Sequence, residues 1–128
     1  MKANSEWLMA EAAKVTTPQK VEKWEITKPL LEAMFAEFKE LGKKRPDATV
    51  STAKIELINR LLSKCREVLS GEPSLEFLDL LDKDNVPQNS DVVLMLSQYV
   101  AAMSAFRAKY YTWTGVEHQW SVRDNAKR

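Results

Sequence analysis

Cysteine is nearly absent from this sequence. Cys65 is the single thiol in 128 residues, so no internal disulfide can form, and thiolate metal sites usually need two or more such ligands. Histidine is equally scarce, with His118 alone. Nucleophilic catalysis of the Ser–His or Cys–His kind needs a base beside the nucleophile and a third group to orient it. Cys65 falls on the apolar stripe of a predicted helix, which suits an inert buried thiol, while His118 lies in a polar stretch near the C-terminus. Arg107 and His118 are eleven positions apart with Gly115 between them, so they do not form an arginine–histidine pair on one helix. No Glu-x-x-His pair is present. The acidic run Asp79, Asp82, Asp84 fails as a calcium loop, because positions six and twelve counted from Asp82 are Pro87 and Val93 rather than Gly and Glu.

Glycine occurs three times, always isolated, which excludes a glycine-rich phosphate loop. No long apolar run exists either. The longest charge-free stretch, between Asp91 and Arg107, falls short of the roughly 18 residues of a membrane span and contains Ser97, Gln98 and Ser104. Met1 to Glu6 runs into a mixed polar and apolar stretch without the apolar core of a secretory signal. These absences lead us to expect a cytoplasmic, non-catalytic protein with no cofactor, no metal and no membrane contact.

What is present is helical patterning. The length and the 45% hydrophobic content suit one globular domain. Gly42, Gly71 and Gly115 each follow an apolar-periodic run, where a helix should stop, and Pro29 and Pro73 sit near predicted helix starts. A helix is predicted over 28–42, capped by Thr27, with Leu30, Leu31, Met34, Phe35, Phe38 and Leu41 on one face. Another is predicted over 52–70, capped by Ser51 or Thr52, with Ile55, Ile58, Leu61, Leu62, Cys65, Val68 and Leu69 as its stripe. A short helix over 74–82 and a long one from about 90 to 114 follow. The N-terminal stretch 5–15 forms a weaker helix through Trp7, Leu8, Ala12 and Val15. Residues 1–26 pack loosely, with Trp24 and Ile26 tucked into the bundle. Residues 116–128 form a tail, with a short extended piece near 116–122. The expected fold is all-α: a compact bundle of four to five helices in a single domain (1–128), with mostly antiparallel neighbours.

Charge is balanced overall at +1 but unevenly spread. Residues 39–66 carry a net +5, from Lys39, Lys43, Lys44, Arg45, Lys54, Arg60, Lys64 and Arg66 against Glu40, Asp47 and Glu56. Residues 72–91 carry a net −5, from Glu72, Glu76, Asp79, Asp82, Asp84 and Asp91 against Lys83. The two blocks either attract each other across the bundle surface or form a charged docking face.

Three groups of candidate site residues follow. Arg107, Tyr111, Trp113 and Trp120 belong to an aromatic and basic cluster of the type that anchors interfaces; in the plainer reading, Trp113 continues the core stripe and Trp120 folds back over it. Ser97, Ala101, Ser104 and Ala108 form a small-residue face on the long helix, either a self-association contact or an alanine face of a monomer. Lys43, Lys44, Arg45, Lys54, Arg60 and Lys64 could contact phosphate, although cations near a helix C-terminus also complement its dipole. The sequence therefore reads as a protein–protein interaction module, a small helical subunit, adaptor or inhibitor that docks on another protein or on itself as a homodimer. Nucleic-acid association through the basic patch is the alternative.

Overall fold

The structure, a computed structural model, describes residues 14–123. Within them the chain is mostly helical, with three α-helices and one two-stranded hairpin. Residues 5–13 of the predicted N-terminal helix, and 124–128 of the tail, lie outside the described residues, and residues 14–17 are not helical.

Helix α1 spans Pro18–Lys44 and begins well before the expected start at 28. Thr17 caps it, its hydroxyl accepting from the Lys20 N–H at 3.2 Å, and Pro18 opens the first turn, where a missing N–H costs nothing. Pro29, read from sequence as a start signal, lies inside the helix and removes one backbone bond, an interior cost of about 3 kcal/mol. Packing on both sides of Pro29 offsets it. Val21 and Leu31 are buried, and Trp24 donates its indole N–H to the Met103 carbonyl at 2.8 Å. Thr27 is accordingly no cap: it is buried and returns its hydroxyl to the Lys23 carbonyl at 2.8 Å. Gly42 is no terminator either. A Cβ there would stand 3.1 Å from Val93 Cγ2, so its bare Cα allows the last helix, which carries Val93, to cross closely. The helix ends at Arg45, whose N–H reaches the Leu41 carbonyl at 2.8 Å.

Helix α2, Thr52–Val68, follows the expected stripe, with the Ser51 hydroxyl accepting from the Lys54 N–H at 3.3 Å. Gly71 then takes φ +85°, the left-handed turn that glycine makes without strain. The predicted helix over 74–82 is not there. A 3-10 turn over Pro73–Phe77 passes into extended chain. The reason is competition for backbone groups. Asn59 on α2 accepts from the Leu81 N–H and donates to the Leu81 carbonyl, both at 2.8 Å. Arg66 donates to the Leu78 carbonyl, and Tyr99 donates to the Asp79 carbonyl at 2.8 Å. Leu78 and Leu81 point into the core, while Phe77 and Leu80 are exposed.

Helix α3 spans Asn89–Tyr110, with the Asp91 carboxylate accepting from the Gln88 N–H at 2.8 Å. Its start is stitched to the α1–α2 connector: Asn89 donates its side-chain amide to the Arg45 carbonyl and its backbone N–H to that of Ala48, both at 2.9 Å. The helix stops at Tyr110, short of the expected 114. Strands β1, Tyr111–Trp113, and β2, His118–Trp120, pair antiparallel with Tyr111 opposite Trp120 and Trp113 opposite His118, around Gly115 at φ +98°. Thr16 pairs in parallel with Val122, through Thr16 N–H to the Ser121 carbonyl at 2.9 Å and Arg123 N–H to the Thr16 carbonyl at 2.8 Å.

The core gathers Leu31 and Phe38 from α1, Ile58 and Leu62 from α2, and Leu96, Tyr99, Met103 and Phe106 from α3. Helix α1 lies against both others, whereas α2 and α3 meet sparsely. Segment 78–81 bridges them, tied to α2 by Asn59 and Arg66 and to α3 by Tyr99.

Asn59 satisfies two polar groups of a buried residue at once. Asn59→Ala leaves both unpartnered, and stability measured by urea unfolding should fall by about 2 kcal/mol. A loss below about 0.5 kcal/mol, the size of an ordinary surface substitution, would mean that the clamp adds nothing.

Candidate interaction surface

Helix α1 carries more apolar surface than its two neighbours cover. A helix repeats every 3.6 residues, so Ile26, Leu30, Ala33 and Leu41 recur along one flank. This flank lies beside the stripe of Val21, Leu31 and Phe38 that enters the core. Leu57 and Leu61 of α2 stand across from it. Between the two helices runs an open groove of about 630 Å³, walled almost entirely by carbon. Its apolar floor is exposed: Ile26 is 59% accessible, Leu30 55% and Leu57 53%. Fully burying a side chain of this kind contributes about 1.5–3 kcal/mol, so a cluster left half open is a standing drive toward association.

Ile26, Leu30 and Leu41 were expected to pack inward, and all three line this groove as exposed residues. The apolar stripe of α1 is wider than one core-facing seam, and its far edge spills outside. Leu57 was not singled out from sequence. Its signal is that it is apolar yet lies off the stripe of Ile55, Ile58 and Leu62.

The rim is charged. Lys54, Arg60 and Lys64 of α2 and Glu37 of α1 border the groove. Lys64 is held by Glu67 at 3.4 Å. Among the described residues no ion pair reaches Lys54 or Arg60. The six basic candidates are thus divided: Lys54, Arg60 and Lys64 line the groove, whereas Lys43, Lys44 and Arg45 end α1 and do not, with Lys43 turned to Glu40 at 3.3 Å.

The aromatic candidates come together on one face of the hairpin, because Tyr111 and Trp113 share a side of β1 and register with Trp120 and His118. The Arg107 guanidinium lies 4.2 Å from the Tyr111 ring centroid. The Tyr111 ring stacks on His118 at 5.8 Å and 9°, and Trp113 leans on His118 at 5.2 Å. Trp120 turns inward, 5.2 Å from Trp24 and 6.0 Å from Phe106, as packing. Trp113 stays 60% accessible. On α3, Ala101, Ser104 and Ala108 are exposed, and the half-buried Ser97 gives its hydroxyl to the Leu94 carbonyl at 2.6 Å.

Polar groups at the end of α3 are paired. Glu72 accepts from Tyr110 at 2.7 Å and from Lys109 at 3.1 Å, pinning the Gly71 turn to the end of α3. Burial and this carboxylate raise the Tyr110 pKa. For Lys109, burial works the other way but is outweighed by Glu72 and Tyr110, so its pKa rises as well. Burial pushes the Cys65 thiol up to about 11, with the Thr27 hydroxyl opposing. Among the described residues, no group of three or more His, Cys, Asp or Glu could hold a metal ion, and no helix is long and apolar enough to cross a membrane. No protein-family model, curated protein or solved structure matches the chain.

The Cys65 shift carries a sign that titration can check. The folded state favours the neutral thiol, so its contribution is present below pH 9 and lost as pH rises to about 11. Cys65→Ala should be less stable than the parent at pH 7 by on the order of 1 kcal/mol, from the small void. That gap should close or reverse by pH 11 as roughly 2–3 kcal/mol drains from the parent alone. Parallel stability curves from pH 8 to 11 would show that the thiol ionises equally in the folded and unfolded chain, so that burial does not raise its pKa.

Proposed function

We propose that this chain is a non-catalytic protein-docking module whose working surface is the groove between α1 and α2. Its occupant is an apolar segment of protein flanked by acidic side chains. The observation that carries this reading is the pairing of an exposed apolar floor, Ile26, Leu30 and Leu57, with basic rim residues Lys54 and Arg60, which no ion pair reaches among the described residues. Helix-in-groove and related peptide contacts use this combination: apolar anchors supply affinity and rim charges set partner choice and approach. A nucleic acid would use the same cations but would lay its phosphates against hydrocarbon, so the floor favours protein. Arg107, Tyr111 and Trp113 form a second contact at the hairpin end, with Trp120 as its support. A lone buried thiol suits a reducing, cytoplasmic setting.

Leu57→Glu tests the reading, because it puts a charge in the groove at an exposed position. Parent and variant are used to capture companions from nuclease-treated host extract, with lysine cross-links mapped by mass spectrometry. The parent should retain a protein cross-linked through Lys54 or Lys64, and the variant should lose it at least tenfold. Equal capture by both proteins, or retention of nucleic acid alone before nuclease treatment, would overturn the proposal.

A further inference from the structure

The docking reading leaves open whose acidic segment fills the groove, and the molecule carries one of its own. Phe77 is 73% accessible and Leu80 is also exposed, on the segment that Asn59, Arg66 and Tyr99 hold by its backbone. Glu76, Asp79 and Asp82 flank these two side chains, and all three acids are exposed. Among the described residues no ion pair reaches any of them. The basic block and the acidic block are neighbours in sequence, yet they do not neutralise each other within the chain.

The geometry of α2 explains why. Successive residues turn by about 100° around a helix axis. Leu57 and Lys64 face the groove, while Asn59 and Arg66, each two positions further on, face segment 78–81. The two flanks are therefore roughly 160° apart, taking the shorter way round. Helix α2 stands between the acidic wedge and the basic groove, so they cannot meet within one molecule. They can meet across two.

We infer that the partner is a second copy of this chain, docked head to tail. Phe77 and Leu80 of one copy enter the groove of the next between Ile26, Leu30 and Leu57, and Glu76 and Asp79 approach Lys54 and Arg60. The inference rests on the docking reading. The wedge is already fixed by three side chains, so little ordering entropy is lost on contact. The surfaces are different ones on opposite flanks, so the contact is heterologous: each copy keeps one free wedge and one free groove, and assembly continues unless it closes into a ring. Charges on the rim also make it weaken as salt rises.

The full chain is followed by light scattering coupled to size exclusion over a range of concentrations, at low ionic strength and at about 0.5 M salt, where screening is nearly complete. The parent should exceed monomer mass as concentration rises, and less so in high salt. Phe77→Ser, which removes the wedge, and Leu57→Glu, which blocks the groove, should each stay monomeric at concentrations where the parent associates. Both positions are more than half exposed, and circular dichroism checks that each variant keeps the helical fold. Mixed in equal amounts, the two variants should give a 1:1 dimer and nothing larger, because one intact wedge then meets one intact groove. A mixture that stays monomeric, variants that still associate, or a parent monomeric up to millimolar concentration would overturn the inference. So would loss of assembly on removing residues 1–13, which would make that segment the occupant. If the parent is monomeric while Leu57-dependent capture of another protein persists, self-assembly falls and the docking reading stands. If that capture is also absent, both fall.

Discussion

Tyr99 sits at the middle of α3 with no side-chain surface left to water, and a phenol withdrawn from solvent must give its proton to an acceptor. The Asp79 carbonyl takes it. Burial also raises the Tyr99 pKa, so the hydroxyl remains a donor. That bond, with the two from Asn59, claims backbone groups a helix over 74–82 would need for itself. The chain between α2 and α3 is therefore extended, and it fills a seam the two helices do not close by direct contact. Leu78 and Leu81 turn inward to complete the core. Phe77 and Leu80 are left outside among carboxylates. The exposed acidic wedge is thus a by-product of satisfying a buried polar core.

Helix α1 carries the complementary constraint. It must serve α3 along one stripe and α2 along another, and Gly42 lets Val93 come close at the crossing. A helix that packs on two neighbours needs a wide apolar arc, and the outer margin of that arc, Ile26 and Leu30, is left uncovered beside Leu57. The same packing explains how α1 runs through Pro29. Burial of Val21 and Leu31 and the Trp24 bond to Met103 lie on either side of the missing N–H and outweigh it.

The sequence was most legible where the signals were local. The stripe and serine cap of α2 were readable, as were the stop near Gly71 and an extended piece near 116–122, whereas Gly115, read as the stop of the long helix, turns a hairpin five residues past its end. Pro29 and Gly42 misled because each usually marks a helix boundary, and here distant packing sets the boundary instead. The helix expected over 74–82 had the right apolar spacing; what undid it were Asn59 and Tyr99, each about twenty positions from its backbone partner. The grouping of Arg107, Tyr111 and Trp113 could be anticipated from their closeness in the chain; Trp120 folds back over the core as the plainer reading of the sequence has it, whereas Trp113, which that reading puts on the core stripe, stays exposed. The groove was half legible. Its basic rim stood out as charge, while its floor looked like ordinary core stripe, and only Leu57, apolar on the wrong face, marked the opening.

The pairing of Thr16 with Val122 has a mechanical meaning. The two segments run in the same direction, so the N-terminal side of Thr16 and the C-terminal side of Val122 lie at opposite ends of this clasp. A pull transmitted through both would load its two hydrogen bonds together, in shear, instead of peeling them one after the other. The helices behind that clasp would feel tension only after both bonds had parted.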